Sequence, residues 1–488
     1  MDIHIAVEGR HDLAGQIYRQ LREGIIEGRL AGGTRLPSTR DLAIQLGVSR
    51  KTTLDVFERL LAEGYLSARA GSGTFVAEGL QRLPAGRSAH AREVEAARAQ
   101  TKARVRARPV WEQLRDASML PRPIAGSPYD FVGGMTDKAL FPFDAWRRCV
   151  NHALRVQARG RGMYRESAGE QDLRLAVSRY LAFSRAVNSN WEDVFVTQGA
   201  QHALDLLARI TLRAGDVAVV EDPGYPPARE CFAALGAKVV PVPVDAEGLI
   251  VAKLPKNARL VYVTPSHQFP LGMPMSLERR VALLEWAEQR DALIIEDDYD
   301  CEFRFEGRAI EPLKTLDRAG LVAYVGTFSK TIFPELRVGY VVPPASLGGP
   351  LRKARQLGDW HGCTLTQTAL AAFMLNGDFA KHLRRMHKVY VTRRMRLLSH
   401  LRGPLGEWFE PTAPIAGIHL AAHLKVPLSE ATLVAAARDA SIGLYGLAPF
   451  YVRTRPQPGL IFGYGGIGAD HIDEALTKLA RLMPKLVR

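Results

Sequence analysis

Apolar residues along this chain keep two different rhythms. In the N-terminal part they follow helical spacing: Leu13, Ile17, Leu21 and Ile25 predict an amphipathic helix, which Gly28 to Gly33 ends. In Leu36-Pro-Ser-Thr-Arg-Asp-Leu-Ala-Ile-Gln-Leu-Gly-Val-Ser49, Pro37 stops helix entry, Ser38 can cap, Asp41 suits a first turn and Gly47 breaks the helix. Ser49 caps a third helix running to about Glu63, with an apolar stripe of Leu54, Phe57, Leu60 and Leu61, and Gly64 ends it. Two short strands, Tyr65 to Ala68 and Thr74 to Val76, flank the hairpin-type turn Ala70-Gly-Ser-Gly73. Two helices, a glycine turn, a helix and a hairpin make a winged helix-turn-helix, placed at residues 10–78.

From residue 126 onward the rhythm changes. Short apolar runs begin at Val194, Val217, Lys238, Leu260, Leu293, Val322 and Val338, with helical patterns such as Gln201 to Leu212 and Leu277 to Arg290 between them. This alternation predicts an α/β domain over 126–488, with a largely parallel sheet buried on both faces and a smaller C-terminal subdomain from about 346. Residues 79–125 are rich in Arg, Ala, Pro and Gly and show no apolar stripe. They read as a partly helical tether.

Composition narrows the class. A chain of 488 residues with 47% hydrophobic content calls for two or three globular domains. No apolar run is long enough to span a bilayer, and His4, Glu8 and Asp12 argue against a secretory signal, so a cytoplasmic protein without a membrane partner is expected. The 4 cysteines are far apart and form no metal-ligand pair, so no metal is expected. The net charge of +14 suggests an anionic partner, yet acids and bases nearly cancel from Met1 to Val76. The basic stretch is the tether, with Arg82, Arg98, Arg104 and Arg106; these either add non-specific affinity for DNA phosphates or are simply solvated.

Candidate DNA contacts therefore come from position rather than charge. Ser49, Arg50, Lys51 and Thr52 open the third helix with short or basic groups suited to base edges and phosphates. Arg35 and Arg40 flank the second helix, and Gly71 and Gly73 at the wing tip allow close backbone approach to a groove.

In a buried parallel sheet the ligand sits beyond the carboxyl ends of the strands. After Val196, Gly199, Ala200 and Gln201 offer backbone N–H groups to a phosphate. After Val220, Tyr225 sits in a turn where it can stack on a planar group. After Ile295 comes the acid cluster Glu296-Asp-Asp-Tyr-Asp300, which wants a cationic partner. After Val325, Thr327, Ser329 and Lys330 lie between two apolar runs, with Arg337 opening the second. A desolvated lysine there can form a Schiff base with an aldehyde cofactor, and the hydroxyls and Arg337 suit a phosphate.

Leu36-Pro-Ser-Thr-Arg-Asp-Leu-Ala, Leu46-Gly-Val-Ser-Arg-Lys-Thr, Leu60-Leu-Ala-Glu-Gly-Tyr-Leu and Gly71-Ser-Gly-Thr-Phe-Val resemble the winged helix-turn-helix of the GntR family of bacterial transcription regulators. The later motifs, in order, resemble fold type I aminotransferases, which use pyridoxal 5'-phosphate (PLP). The whole chain looks like the MocR/GabR subfamily of GntR regulators. The resemblance implies a homodimer that binds a double-stranded DNA operator and senses a small amine, an amino acid or PLP itself. A working aminotransferase with an attached DNA-binding domain is the alternative. By resemblance, Lys330 would carry the Schiff base, Asp297 would pair with the pyridine nitrogen, Tyr299 would reach the phenolate oxygen and Tyr225 would stack on the ring. Gly199, Ala200, Thr327, Ser329 and Arg337 would hold the phosphate, Tyr164 would enter from the other subunit, and Arg40 and Arg50 would touch DNA. Two positions depart from the pattern. Phe269 stands where aminotransferases usually have Asn, leaving His267 as its substitute. The last strand, Gly459-Leu-Ile-Phe-Gly463, lacks their carboxylate-binding arginine, leaving Arg453 or Arg455. Both departures weaken turnover more than cofactor binding.

Overall fold

The computed structural model describes residues 5–7, 9, 11–69, 71–78, 108–114, 123–307, 311–412 and 414–487. The chain divides into two compact units, Met1–Arg106 and Ala107–Arg488. Most of the basic tether, with its arginines from 82 to 106, lies outside the described residues; within it, Pro109–Gln113 is a short helix. No helix among the described residues is long and apolar enough to cross a membrane.

In the first unit, α1 (Leu13–Ile26), α2 (Thr39–Leu46) and α3 (Arg50–Ala62) precede a hairpin of β1 (Leu66–Arg69) and β2 (Gly73–Val76). Ser38 and Ser49 cap α2 and α3 by accepting from the backbone of Asp41 and Thr52. Ile17, Leu21 and Ile25 are buried as the helical spacing predicts. The α3 stripe differs from the expected one. Leu54 is 43% exposed, while Thr53, Val56, Phe57 and Leu60 face inward. Those four share one helical face. Thr53 is admitted there because its hydroxyl donates to Thr39 O at 2.7 Å, which satisfies a polar group inside an apolar core.

The second unit holds an eight-stranded sheet in the order β3-β10-β9-β8-β7-β4-β5-β6. Its strands are β3 (Phe195–Thr197), β4 (Val217–Asp222), β5 (Lys238–Asp245), β6 (Gly248–Leu249), β7 (Ala258–Val263), β8 (Leu293–Asp298), β9 (Val322–Thr327) and β10 (Gly339–Val342). From β9 through β5 neighbours run parallel, whereas β10 is antiparallel to both β9 and β3, and β6 to β5. Every residue of β4, β8 and β9 is buried, as expected for strands covered on both faces. The connection from Thr327 to Gly339 contains no crossover helix, which forces β10 to return antiparallel and leaves Lys330 in the turn.

A second sheet, order β11-β12-β14-β13, is wholly antiparallel: β11 (Phe409–Pro411), β12 (His419–Leu424), β13 (Tyr445–Gly446) and β14 (Gly459–Gly463). Helices Asp378–Arg402 and Ala469–Leu486 cover it. Tyr390, Leu397, Leu401, Leu476, Leu479 and Met483 form one core with Leu420 and Phe462. Leu351 and Phe373, from the two helices before Asp378, pack instead with residues of the large sheet. The second core thus begins two helices later than the boundary read near 346.

Candidate functional site

In the first unit, basic side chains divide into two sets. Arg19, Arg29, Arg59 and Arg69 each pair with a carboxylate. Arg35, Arg40, Arg50 and Lys51 are exposed and have no ion-pair partner among the described residues. Arg50 and Lys51 sit in the first turn of α3 and Arg40 in that of α2. Ser49 and Thr52 are committed to each other: Ser49 Oγ accepts from Thr52 N at 3.1 Å and lies 2.8 Å from Thr52 Oγ1. At the wing, Gly71 and Gly73 have φ of +73° and +112°. A Cβ on Gly73 would lie 3.1 Å from Arg35 Nε, so glycine there makes room for that guanidinium.

The second unit encloses a cavity of about 430 Å³ beyond the carboxyl ends of the parallel strands. Its lining joins residues that the sequence places far apart: Ala200, Gln201, Tyr225, Asp297, Tyr299, Thr327, Ser329, Lys330 and Arg337. At one end, Gly199 precedes helix Ala200–Thr211 with φ of +82°, and a Cβ there would meet the Arg337 guanidinium at 3.0 Å. Arg337 Nη2 donates to Gln198 O at 2.8 Å, and Thr327 Oγ1 donates to Ser329 Oγ at 3.0 Å. A helix N-terminus, a guanidinium and two hydroxyls converge there, and each favours an anion.

Deeper in, Asp297 is the next-to-last residue of β8 and is 4% exposed. Its Oδ2 accepts from Tyr262 OH at 2.8 Å, while its Oδ1 has no partner among the described residues. Burial pushes its carboxyl up to about 7. The other acids of the cluster are engaged. Glu296 accepts from Leu313 N and Lys314 N, Asp298 pairs with Arg185 at 2.6 Å, and Asp300 lies 2.8 Å from His267 Nδ1. The half-buried Lys330 donates from Nζ to Gly134 O at 2.9 Å, and burial lowers its pKa. Tyr225 stands between the ring of Tyr262, 6.5 Å away and tilted 30°, and the edge of Phe269.

His267 stands behind Tyr299 rather than in the lining: its Nδ1 is 3.1 Å from the Tyr299 hydroxyl. His267, Asp300 and His419 also bring possible metal-ligand atoms within 4.8 Å of one another, but the His267–Asp300 hydrogen bond already engages two of the three. Tyr164 is 73% exposed, its ring lies 4.5 Å from that of Trp360 and tilted 33° to it, and it does not line the cavity of its own chain. Neither Arg453 nor Arg455 lines it. Lining residues that sequence reasoning missed include Gly133, Gly134, Met135, Tyr262, His419, Arg438 and Tyr445. The paired glycines were visible as a chain reversal signal; Tyr262 was hidden inside an apolar run and Arg438 among ordinary helix-surface charges.

Fold and site together define an aminotransferase-type domain of fold type I carried by a chain that also bears a winged helix-turn-helix. Residues 133–454 match the class I and II aminotransferases, a PLP-dependent family, and residues 13–76 match the gntR family of bacterial regulatory proteins, a DNA-binding domain. The chain is 37% identical over 465 residues to the probable rhizopine catabolism regulatory protein MocR of Rhizobium meliloti, covering 95% of this chain and 92% of that one. It is 37% identical over 403 residues to the HTH-type transcriptional regulator TauR of Rhodobacter capsulatus, covering 80% of each. Among solved structures it is similar to Pyrococcus horikoshii kynurenine aminotransferase, with a TM-score of 0.69 and 25% identity over 81% of this chain and 99% of that one. The chain belongs to the MocR subfamily of GntR-family transcription regulators.

Proposed function

We propose that this regulator holds PLP at Lys330, detects a small amine or amino acid there, and answers by changing its affinity for an operator. The observation that carries the reading is the buried Asp297 oxygen without a partner, in a cavity that also presents a lysine and an anion cradle. Those residues fit PLP. When bound, it supplies an aldehyde that condenses reversibly with primary amines and a ring that withdraws electrons while its nitrogen keeps a proton. Asp297 holds that proton. Arg337, Ser329, Thr327 and the amides of Ala200 and Gln201 hold the phosphate, with Gly199 leaving room for Arg337. Tyr225 stacks on the ring. Tyr299 places its hydroxyl beside the ring oxygen, steadied by His267, which Asp300 orients. The neutral form of Lys330, favoured by burial, is the one able to attack an aldehyde. The kynurenine aminotransferase of similar fold was solved with PMP, the amine form of this cofactor.

The reading extends to a homodimer. Two winged helices related by a twofold axis suit two operator half-sites, contacted by Arg40, Arg50, Lys51 and the wing. Met163, Tyr164, Leu357 and Trp360 are exposed apolar residues of the second unit, and Tyr164 packs against Trp360. We place Tyr164 in the partner's cavity by the resemblance to aminotransferases.

Regulation is favoured over turnover because Phe269 replaces a polar donor and β14 brings Ile461, not arginine, to the cavity wall. Purified protein should absorb as a PLP protein, and borohydride should fix the cofactor to Lys330. Lys330→Ala should lose both signatures, keep operator binding and lose the response to amines. Operator affinity with and without amine, measured beside a keto-acid assay, decides. Fast multiple turnover in the natural protein, with an amine response surviving in Lys330→Ala, would reverse the ranking of regulator over enzyme.

A further inference from the structure

The anion cradle is tied to a second helix, Ala345–Asp359, whose last turn carries Arg355 and Asp359. Gln198, whose carbonyl accepts from Arg337, donates from its side-chain Nε2 to Asp359 Oδ2 at 2.7 Å. Arg355 is 2% exposed; its Nε lies 3.2 Å from Asp359 Oδ1, and its Nη1 donates to His202 Nδ1 at 2.7 Å. Gln198 N donates to the same ring nitrogen at 3.1 Å. An Nδ1 that accepts twice belongs to a neutral imidazole, and burial, with Arg355 beside it, lowers the His202 pKa to about 4. One helix end therefore holds both ends of the turn from Gln198 to His202, and the amides of Ala200 and Gln201 lie between them. Beyond Asp359 the chain reverses at once. His361 N donates to Asp359 O at 2.7 Å across Trp360, whose φ of +62° and ψ of −70° make a γ-turn of the rare, strained kind. Such strain persists only where the surroundings over-determine it. Gly362 then passes close to the buried guanidinium: a Cβ there would lie 3.1 Å from Arg355 Nη2.

We infer that Arg355 and Asp359 are positioning residues for the phosphate end of the cofactor: through His202 and Gln198 they fix the backbone amides of the cradle and the carbonyl against which Arg337 is set. The inference rests on the reading of this cavity as a PLP site. A phosphate gains most from donors already aimed at it, because a cradle free to rearrange must be ordered at the moment of binding. Gln198, His202, Arg355 and Asp359 do not line the cavity, so their effect reaches the cofactor through the cradle and not through the ring or the aldehyde.

The test compares two cofactor forms, PLP and pyridoxal, which share the ring and the aldehyde and differ in the phosphate. Each is titrated by absorbance into cofactor-free, full-length protein. The natural protein should prefer PLP. Asp359→Ala and Gln198→Ala, both at partly or fully exposed positions, should each weaken PLP about 3- to 10-fold and leave pyridoxal unchanged within about 2-fold. Because the two share one hydrogen bond, the double variant should be little worse than the stronger single one. Arg355→Gln should weaken PLP about 10- to 100-fold, and Arg355→Lys should recover part of that loss. Equal losses for PLP and pyridoxal would show a merely structural role. Those losses, unchanged PLP affinity in all the variants, or a natural protein that binds the two forms alike would overturn the inference and leave the cofactor reading standing. A natural protein that takes up neither form would instead refute the cofactor reading, and the inference with it.

Discussion

Asp297→Asn should have opposite effects on the empty and the loaded protein. Without cofactor, Asp297 is a buried carboxyl with one oxygen unpaired, and burial raises its pKa from 3.8 to about 7. A raised carboxyl pKa means the folded state binds the proton more tightly than the unfolded chain. Stability from this group is therefore full below about pH 4, falls as pH rises to about 7, and is flat beyond. Three pH units at 1.36 kcal/mol each set an upper bound of about 4 kcal/mol on that loss. Asparagine removes the titration while still accepting the Tyr262 hydroxyl. Cofactor-free Asp297→Asn should thus match the natural protein near pH 4 and be more stable at pH 8, by about 2–4 kcal/mol. Because all 6 tryptophans, from Trp111 to Trp408, lie in the second unit, their fluorescence during urea unfolding follows that unit alone. Loaded with PLP the sign reverses, since the carboxylate has gained its partner; the variant should lose about 1.5–3 kcal/mol of cofactor affinity. Equal stability of the two empty proteins at pH 8 would refute the account of Asp297 as a charge awaiting a partner.

Other expectations follow from unpaired and paired arginines. Arg40→Ala and Arg50→Ala should each weaken operator binding by about 1–3 kcal/mol if the arginine reads a base; footprinting on specific and random DNA checks this, and unchanged affinity in both would sink the placement. Arg104→Ala, in the tether, should lower affinity for all sequences alike and flatten the salt dependence measured by the same footprints. Arg185→Ala strands Asp298 in the core, where Arg185 also donates to Ser266 at 2.8 Å; urea unfolding should show a loss of about 3–5 kcal/mol, and a loss below 1 would mean the pair is not desolvated.

The sequence disclosed what is local. Caps at Ser38 and Ser49 announce helices because their hydroxyls lie within reach of the free backbone N–H three residues on. Apolar runs announce buried strands because both faces are covered. Strand ends then point to Lys330, Asp297 and Arg337 without any knowledge of distance. The sequence could not disclose relations across the fold. Leu54 and Val56 are both apolar, and only the packing of α3 decides which one turns inward. His267 is chemically able to face a ligand, yet its hydrogen bond to Asp300 holds it behind Tyr299. Arg438 reads as one more solvated charge and stays exposed, yet the fold brings it to the wall of the cavity.

The hydrogen bond from Lys330 Nζ to Gly134 O has a mechanical consequence. Gly134 belongs to the stretch by which the polypeptide enters the second unit after the tether. Asp130 anchors that stretch, accepting from Ile124 N and Val132 N, and Thr136 donates to Ile332 O beside the lysine turn. Whatever engages the lysine nitrogen removes a donor from this entry stretch and obliges the Gly134 carbonyl to find another. An exchange at a single nitrogen is therefore met first by the backbone of residues 130–136, through which the chain enters the second unit.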